Sequence, residues 1–260
     1  MNFLWSFLFF AAFCAESTWV KVAANPFVDR QLILKDRIIG GTDAREGEVP
    51  WQVSLHHVRY GFYCGGTIVD RNFIITAAHC SKYDRKDVFV FAGSIHKDTG
   101  DRYDVSLIVV HPRYDLSSQK VQANDIAVWK MKSPFSWSEN IKPAGISFSR
   151  RVEDGWLMTV SGWGKTKNSW DAMPSNYLKK AEVRIVNREE CRARYQNVFG
   201  VDIPENTVCA GGEGKDTCNG DSGGPLVKDG VLYGVVSFGV GTACGFLPGG
   251  YTEVALLFPN

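Results

Sequence analysis

The stretch CNGDSGGP (Cys218–Pro225) surrounds one serine, Ser222, with three glycines, an acid and a proline. Glycine, aspartate, serine and proline are the residues that tight surface turns use, so the composition fits a simple loop. The same eight residues are compatible with a serine nucleophile. Both interpretations stay open at this point, because a short motif is only a hypothesis until its context in the chain is known.

The composition is that of an ordinary globular protein and argues against a nucleic-acid partner. The chain has 260 residues, of which 45% are hydrophobic and 22% charged, and its formal net charge is +1. Proteins that bind nucleic acids carry a basic stripe or patch. Here no run of lysine and arginine is longer than two residues. The length suits either one large or two small all-β units.

The first residues predict a secretory signal. The run from Phe3 to Ala15, FLWSFLFFAAFCA, is almost wholly apolar, and polar residues follow from Glu16. Such a run is too short to cross a bilayer comfortably but matches the apolar core of a signal peptide. A buried helix is the alternative. We therefore expect a signal peptide over residues 1–15, cleaved after Cys14 or Ala15, a secreted product and no membrane anchor.

The cysteine count predicts disulfides. Seven cysteines become six when Cys14 leaves with the signal peptide. An even number of cysteines in a secreted chain indicates three disulfides, although the count alone leaves their pairing open. A zinc site is the alternative, with His79 and Cys80 as the one closely spaced histidine and cysteine. Adjacent residues rarely bind the same metal ion, so disulfides are favoured.

Short apolar runs separated by turn residues predict an all-β fold. Several runs are rich in valine, isoleucine, threonine and phenylalanine, which is typical of the strands of a β-barrel or β-sandwich. One stretch predicts a helix, because Asn187 can cap it, Glu190 lies three residues on, and Cys191–Tyr195 follow. The strand-like runs include Trp51–Leu55, Thr67–Val69, Phe73–Thr76, Val88–Ala92, Val105–Val110, Ile126–Trp129, Leu157–Ser161, Glu182–Val186 and Val231–Phe238.

Three motifs hold the groups that acyl transfer to a hydroxyl requires. That reaction needs a base to take the proton of the hydroxyl and a third group to orient the base. His79 lies in TAAHC after the run FIIT, Asp125 lies in NDIAV, and Ser222 lies in GDSGGP. Each has a structural alternative: a core or surface histidine, a turn aspartate and a turn serine. The occurrence of all three motifs in the order His, Asp, Ser favours catalysis.

The chain resembles the chymotrypsin-like serine proteases, and the trypsin-type members among them. The resemblance runs from Ile38 nearly to the C-terminal residue. It implies an all-β fold of two packed antiparallel Greek-key β-barrels, over about residues 38–143 and 144–260, with the active site in the cleft between them. The motifs that carry it, in order, are IIGG, PWQVSL, CGGTIV, TAAHC, HPRY, NDIAV, SGWG, CNGDSGGP, VSFG and PGGYTEV.

The resemblance implies a Ser-His-Asp triad. Ser222 would attack the scissile carbonyl, and His79 would accept its proton and later pass it to the leaving amine. Asp125 would hold the imidazole and stabilise its protonated form. The backbone amides of Gly220 and Ser222 would form the oxyanion hole. No cofactor is implied, and we expect no metal, because Ser94 stands where many trypsins have a calcium-binding glutamate.

The resemblance also implies cleavage after arginine or lysine. Asp216 matches the acid at the base of a trypsin-type specificity pocket, where a carboxylate is costly unless a cation pairs with it. Gly239 and Gly249 match the glycines of the pocket walls, and Ser237 matches a supporting position. Phe238 replaces the tryptophan that usually lies beside the pocket. A solvated loop aspartate is the alternative for Asp216, and a chymotrypsin-like preference is the corresponding alternative for specificity.

By the same resemblance the protein is made as a zymogen. Residues 16–37 would be an activation propeptide, removed by cleavage after Arg37, and the new α-amino group of Ile38 would pair with Asp221. Phe62 stands where many relatives have a histidine that helps to keep the zymogen inactive. The disulfides that the family pattern selects are Cys64–Cys80, Cys191–Cys209 and Cys218–Cys244.

The sequence therefore predicts a secreted serine endopeptidase that acts on protein or peptide substrates with arginine or lysine at the cleaved bond. We expect it to be monomeric and to be bound by protein protease inhibitors. The alternative from another class is a catalytically inactive homologue that acts as a binding module. Such proteins usually lose a triad residue, whereas all three are present here.

Overall fold

The computed structural model describes residues 38, 40–118, 121–167, 169, 171–212, 214–240 and 244–255. The chain divides into two units, Met1–Lys35 and Asp36–Asn260, and all described residues lie in the second. The predicted signal peptide (1–15) and activation segment (16–37) lie outside the described residues. Within the described ranges, no helix is both long and apolar enough to span a bilayer.

The described part of the chain is built almost entirely of β-strands. One α-helix, α1 (Arg188–Phe199), and one short 3₁₀ helix (Ala78–Ser81) accompany them. The strands are β1 (Thr42–Asp43), β2 (Gln52–His57), β3 (Gly61–Asp70), β4 (Phe73–Thr76), β5 (Val88–Ala92), β6 (Asp101–Val110), β7 (Ala127–Met131), β8 (Gly145–Ile146), β9 (Leu157–Gly162), β10 (Lys179–Val186), β11 (Thr207–Ala210), β12 (Pro225–Lys228), β13 (Val231–Phe238) and β14 (Gly249–Glu253).

The strands form two six-stranded antiparallel barrels, which confirms the predicted fold class. The first closes in the order β2-β3-β4-β7-β6-β5. The second runs β10-β11-β14-β13-β12-β9 and closes through the pairing of β9 with β10. Each barrel surrounds its own core, with Trp129 at 0% exposure in the first and Tyr251 at 0% in the second. Closure leaves neither barrel with an exposed sheet edge.

Two short segments tie the barrels together. β1 precedes the first barrel in the chain but pairs with β10 of the second. Ile38, just before it, is fully buried in the core of the second barrel. Val254, which follows β14, belongs to a buried cluster that joins the core of the first barrel to Val227, Leu232 and Val235 of the second. The two barrels therefore share buried side chains as well as a surface of contact.

The sequence pattern located most of the strands and the helix. Each of the nine apolar runs overlaps a strand, and the runs at Phe73–Thr76, Val88–Ala92 and Val231–Phe238 match their strands from end to end. The side chain of Asn187 accepts hydrogen bonds from the backbone amides of Glu189 and Glu190, which confirms the predicted cap of α1.

Candidate active site

The contact between His79 and Asp125 follows from the pairing of β4 with β7. Thr76 at the end of β4 pairs with Ala127 at the start of β7. The 3₁₀ helix that follows β4 and the turn that precedes β7 therefore lie side by side. His79 donates from its backbone amide to Oδ1 of Asp125 (2.9 Å), and its ring Nδ1 lies 2.8 Å from Oδ2. This geometry holds the imidazole in one orientation and leaves Nε2 to face the cleft.

The second barrel completes the surroundings of Asp125. The hydroxyl of Ser237, on β13, donates to Oδ2 of Asp125 (2.6 Å). The hydroxyl of Thr252, on β14, donates to the backbone carbonyl of Asp125 (3.0 Å). The Asp125 side chain is only 4% exposed, whereas that of His79 is 33% exposed. A buried carboxylate with hydrogen-bond donors on both oxygens is well suited to stabilise an adjacent imidazolium.

Ser222 lies in a turn that both barrels hold in place. Its carbonyl oxygen accepts a hydrogen bond from the backbone amide of Gly65, on β3 of the first barrel (2.8 Å). The next residue, Gly223, has a φ of +78°, and a Cβ there would lie 2.2 Å from Oγ1 of Thr76. Gly220 has a φ of +102°, and a Cβ there would lie 3.0 Å from Cα of Gly164. The glycines of the opening motif are thus required by backbone conformation and close packing.

Two adjoining cavities bring these segments into one cleft. The smaller, of about 40 Å³, is lined by Ser222 and, among others, Ser237 and Phe238. The larger, of about 250 Å³, is lined by His79 and Asp125 and again by Ser237 and Phe238. Because the same two residues line both cavities, the cavity that contains Ser222 adjoins the cavity that contains His79 and Asp125.

Asp216 is buried beside the smaller cavity, at 1% exposure. Its carboxylate accepts hydrogen bonds from the backbone amides of Thr217 (2.7 Å) and Gly245 (3.2 Å). Burial nevertheless raises the pKa of Asp216 to about 7, and these two hydrogen bonds only partly oppose the shift. A Cβ at Gly249 would lie 2.7 Å from Oδ1 of Asp216, while a Cβ at Gly239 would meet open space. A side chain at Gly249 would therefore press against the carboxylate. Gly239 lines the smaller cavity, whereas Asp216 and Gly249 are not among its lining residues.

Asp221 is fully buried, next to the nucleophile candidate. Its carboxylate accepts hydrogen bonds from the backbone amides of Gly164 (2.7 Å) and Cys218 (2.9 Å). Burial raises the pKa of Asp221 to about 7. Among the residues that the structure describes, no cationic side chain forms an ion pair with this carboxylate. Arg37 lies outside the described residues.

The three predicted disulfides are present, and one of them removes the alternative of a zinc site. The donor atoms of Cys64, His79 and Cys80 lie within 4.8 Å of one another. However, the two sulfurs are bonded to each other and cannot act as thiolate ligands. The disulfide instead anchors the segment that carries His79 to β3. The disulfides are Cys64–Cys80, Cys191–Cys209 and Cys218–Cys244.

Sequence reasoning missed the contacts by which one barrel supports the other at this site. Gly65 and Thr252 lie within the motifs CGGTIV and PGGYTEV, but these motifs predict no role for either residue. The available signal was their place in motifs that also carry the resemblance. The local pattern could not reveal the hydrogen bond from Thr252 to Asp125, because these residues are 127 positions apart in the chain.

Comparisons with known proteins agree on one family. A family profile described as "Trypsin" matches residues 38–259. The chain is 38% identical over 227 residues to trypsin delta of Drosophila melanogaster, a match that covers 86% of this chain and 87% of that protein. It is 36% identical over 251 residues to trypsin 5G1 of Aedes aegypti, covering 95% of this chain and 91% of that protein.

A solved structure gives the same result. The fold superposes on that of neuropsin, a serine protease expressed in the limbic system of mouse brain, with a TM-score of 0.74 and 31% sequence identity. The match covers 83% of this chain and 94% of the neuropsin chain. Family profile, sequence relatives and fold together show that the chain belongs to the trypsin family and is a serine endopeptidase.

Proposed function

We propose that this protein cleaves peptide bonds after arginine or lysine through Ser222, His79 and Asp125. The observation that carries the proposal is the contact of 2.8 Å between Nδ1 of His79 and the buried carboxylate of Asp125, beside a cavity that adjoins the one lined by Ser222. A histidine that a carboxylate orients in this way can act as the base that activates a serine hydroxyl for acyl transfer.

The reaction proceeds in two halves. In the first, Oγ of Ser222 attacks the scissile carbonyl carbon while Nε2 of His79 takes the hydroxyl proton. The C–N bond then breaks, His79 protonates the departing amine, and an acyl-enzyme remains. In the second half, His79 takes a proton from water, the hydroxide attacks the ester, and Ser222 regains its proton as the acid product leaves. Asp125 holds the imidazole and stabilises its charged form throughout.

The backbone amides of Gly220 and Ser222 stabilise the negative charge on the carbonyl oxygen in both halves. The left-handed conformation of Gly220 sets the direction of its amide relative to Ser222. Removing one such donor typically costs about 3 kcal/mol of transition-state stabilisation. A side chain at Gly220 would press against Gly164 and distort this turn.

Asp216 gives the enzyme its preference for a basic side chain. Because burial raises the pKa of Asp216 to about 7, its carboxyl is close to half protonated near neutral pH. A substrate arginine or lysine favours the ionised form, because a buried charge is stable only when it is paired. A neutral aromatic or aliphatic side chain would leave the carboxylate unpaired. This argument favours trypsin-like over chymotrypsin-like specificity.

Activation follows cleavage after Arg37, which frees the α-amino group of Ile38 to pair with Asp221. Support comes from Asp221 itself, a fully buried carboxylate whose pKa is raised by burial. An ammonium group beside it would provide the missing countercharge and fix the turn that contains Gly220. Because Arg37 satisfies the specificity proposed for Asp216, the enzyme can activate itself.

The remaining parts of the proposal concern the localisation, the partners and the oligomeric state of the enzyme. The predicted signal peptide and the three disulfides fit a secreted, extracellular enzyme. Its partners are proteins or peptides with arginine or lysine at the cleaved bond, and protein protease inhibitors that occupy the same cleft. We propose that the enzyme acts as a monomer.

Covalent labelling tests the catalytic assignment. The chain cleaved after Arg37 is treated with a fluorophosphonate, which phosphonylates an activated serine, and the adduct is mapped by mass spectrometry. We expect one adduct, on Ser222, and strongly reduced labelling in the His79→Ala variant. An unlabelled wild-type chain that still binds basic peptides would instead establish the inactive binding module. An adduct on another serine would refute the triad.

A further inference from the structure

A pair of asparagines links the turn that carries Asp125 to the second barrel. The backbone amide of Asn124 donates to Oδ1 of Asn206 (3.3 Å). In return, Nδ2 of Asn206 donates to Oδ1 of Asn124 (3.2 Å). Asn206 directly precedes β11 of the second barrel, whereas Asn124 precedes β7 of the first. One side chain therefore holds both the backbone and the side chain of the residue next to Asp125.

Asn124 has an unusual backbone conformation. Its φ is +63°, in the left-handed region that non-glycine residues rarely adopt and that asparagine tolerates best. Its carbonyl accepts a hydrogen bond from the amide of Ile126, two residues on (2.8 Å). This tight turn sets the direction in which Asp125, between them, projects its carboxylate. A change of φ at Asn124 would swing that carboxylate relative to His79.

Asn206 is itself held firmly. Its carbonyl accepts a hydrogen bond from the backbone amide of Glu253, at the end of β14 (2.9 Å). Glu253 is buried at 2% exposure and forms an ion pair with Arg151 (3.1 Å). The next residue, Thr207, donates its amide to the carbonyl of Pro204 (3.1 Å). The asparagine pair thus connects the Asp125 turn to an anchored part of the second barrel.

We propose that Asn206 is a positioning residue, which keeps Asn124 in its left-handed conformation and thereby holds the carboxylate of Asp125 on Nδ1 of His79. The inference rests on the proposed role of Asp125 in catalysis. Neither Asn124 nor Asn206 is among the described residues that line the two cavities. Loss of Asn206 should therefore slow the chemical step and leave substrate binding intact.

The first test compares kcat and KM of the cleaved enzyme on an arginine peptide, with each kcat expressed per active site titrated by a fluorophosphonate. Asn206→Ala should lower kcat by about 10-fold to 100-fold, the range that small misplacements of catalytic groups produce, with KM unchanged. Asn124→Gly keeps the left-handed backbone and its amide donor, so it should retain more activity than Asn124→Ala.

The matched control is Asn187→Ala. This asparagine also lies in the second barrel and its side chain also accepts backbone hydrogen bonds, at the start of α1, but it does not contact the Asp125 turn. Its loss should lower the unfolding temperature without changing kcat per titrated site. If Asn206→Ala behaves in the same way, Asn206 stabilises the fold only and the proposal is wrong.

The second test places Asn206→Ala in an Asp125→Asn background. The effects of replacing two residues that act through one another are not additive. Asn206→Ala should therefore have little further effect on kcat once Asp125 is replaced. A full additional loss would show that Asn206 does not act through Asp125. If Asp125→Asn alone left kcat unchanged, the proposed function itself would fail. A large loss in Asp125→Asn with none in Asn206→Ala would overturn only the positioning role.

Discussion

The backbone amide of Gly65 donates a hydrogen bond of 2.8 Å to the carbonyl oxygen of Ser222, and this bond joins the two barrels at the proposed nucleophile. A second bond crosses in the other direction, from Ser237 of the second barrel to Asp125 of the first (2.6 Å). Each barrel thus positions a proposed catalytic group that the other contributes. The cleft is consequently sensitive to the way in which the barrels dock.

Gly223→Ala should disturb this docking. A Cβ at Gly223 would meet Thr76 and Gly65 of the first barrel, and the φ of +78° adds backbone strain. The control is Gly230→Ala, where φ is +75° but no atom lies within 4 Å of the added Cβ. Gly230→Ala should lower the free energy of unfolding by about 1–2 kcal/mol through backbone strain alone, and Gly223→Ala should lower it by clearly more. Urea unfolding in a Ser222→Ala background measures both, and equal costs would contradict the proposed clash.

Ser222→Ala should abolish turnover and leave the fold intact. Residual hydrolysis would come only from binding and the oxyanion hole, so kcat should fall by several powers of ten. His79→Ala should cost about as much, and the double variant should cost no more than either one, because the two residues act as a unit. Circular dichroism checks the fold. Near-normal hydrolysis by Ser222→Ala would exclude it as the nucleophile.

Binding of a small cation such as benzamidine should weaken as the pH falls below about 7. Burial raises the pKa of Asp216 to about 7, so the carboxyl becomes neutral below that pH and cannot pair with the cation. The Kd should rise about tenfold for each pH unit lost below the pKa. Calorimetry on the cleaved Ser222→Ala protein measures this, with Asp216→Asn as the control that binds weakly at every pH. An equal Kd at pH 5 and pH 8 would argue against Asp216 as the cation site.

The uncut precursor should lose stability as the pH rises towards 7. Because burial raises the pKa of Asp221, the folded state holds a proton that the unfolded chain releases from about pH 4 upward. The free energy of unfolding therefore falls over that window, with Asp216 contributing in the same direction. Thermal unfolding of an Arg37→Gln, Ser222→Ala double variant tests this, and adding Asp221→Asn should flatten the pH dependence. No change on adding it would mean that Asp221 is not a buried, unpaired acid in the precursor.

Activation gives a related prediction. Arg37→Gln should accumulate as an intact and inactive precursor, whereas Asp221→Asn should be cut correctly and remain nearly inactive. In the cleaved wild type, pairing with Asp221 should raise the pKa of the Ile38 amine above that of a free α-amino group. Activity should then be retained below the free pKa and be lost reversibly as the pH passes the raised pKa. Rate measurements across alkaline pH test this. Full activity in uncut Arg37→Gln would exclude the zymogen mechanism.

Local sequence patterns located the strands whose side chains alternate or run apolar, such as Val88–Ala92, and missed others. β11, β12 and β14 are short or begin with proline or glycine, so their local sequence is a weak strand signal, and their pairing with neighbouring strands is what makes them strands. The local pattern of a strand does not predict its pairing with a strand that is distant in sequence.

Contacts between distant residues were also unpredictable in the candidate active site. Motifs identified His79, Asp125 and Ser222, and the resemblance placed them together. The contact between His79 and Asp125 depends on the register of β4 and β7, and the pair formed by Asn124 and Asn206 spans 82 residues. Polar contacts of that kind depend on the relative position of two barrels, which no local pattern contains.

The most direct test of the central claim is the ratio of kcat/KM on peptides that differ only in the residue before the cleaved bond: arginine, lysine, phenylalanine or leucine. If Asp216 is the specificity residue, the cleaved wild-type enzyme should prefer arginine and lysine by several powers of ten, because only these side chains carry a positive charge that can pair with its buried carboxylate. Asp216→Ser should lose that preference while its activity on phenylalanine and leucine changes far less. An arginine to phenylalanine ratio that is the same in wild type and Asp216→Ser would contradict the account.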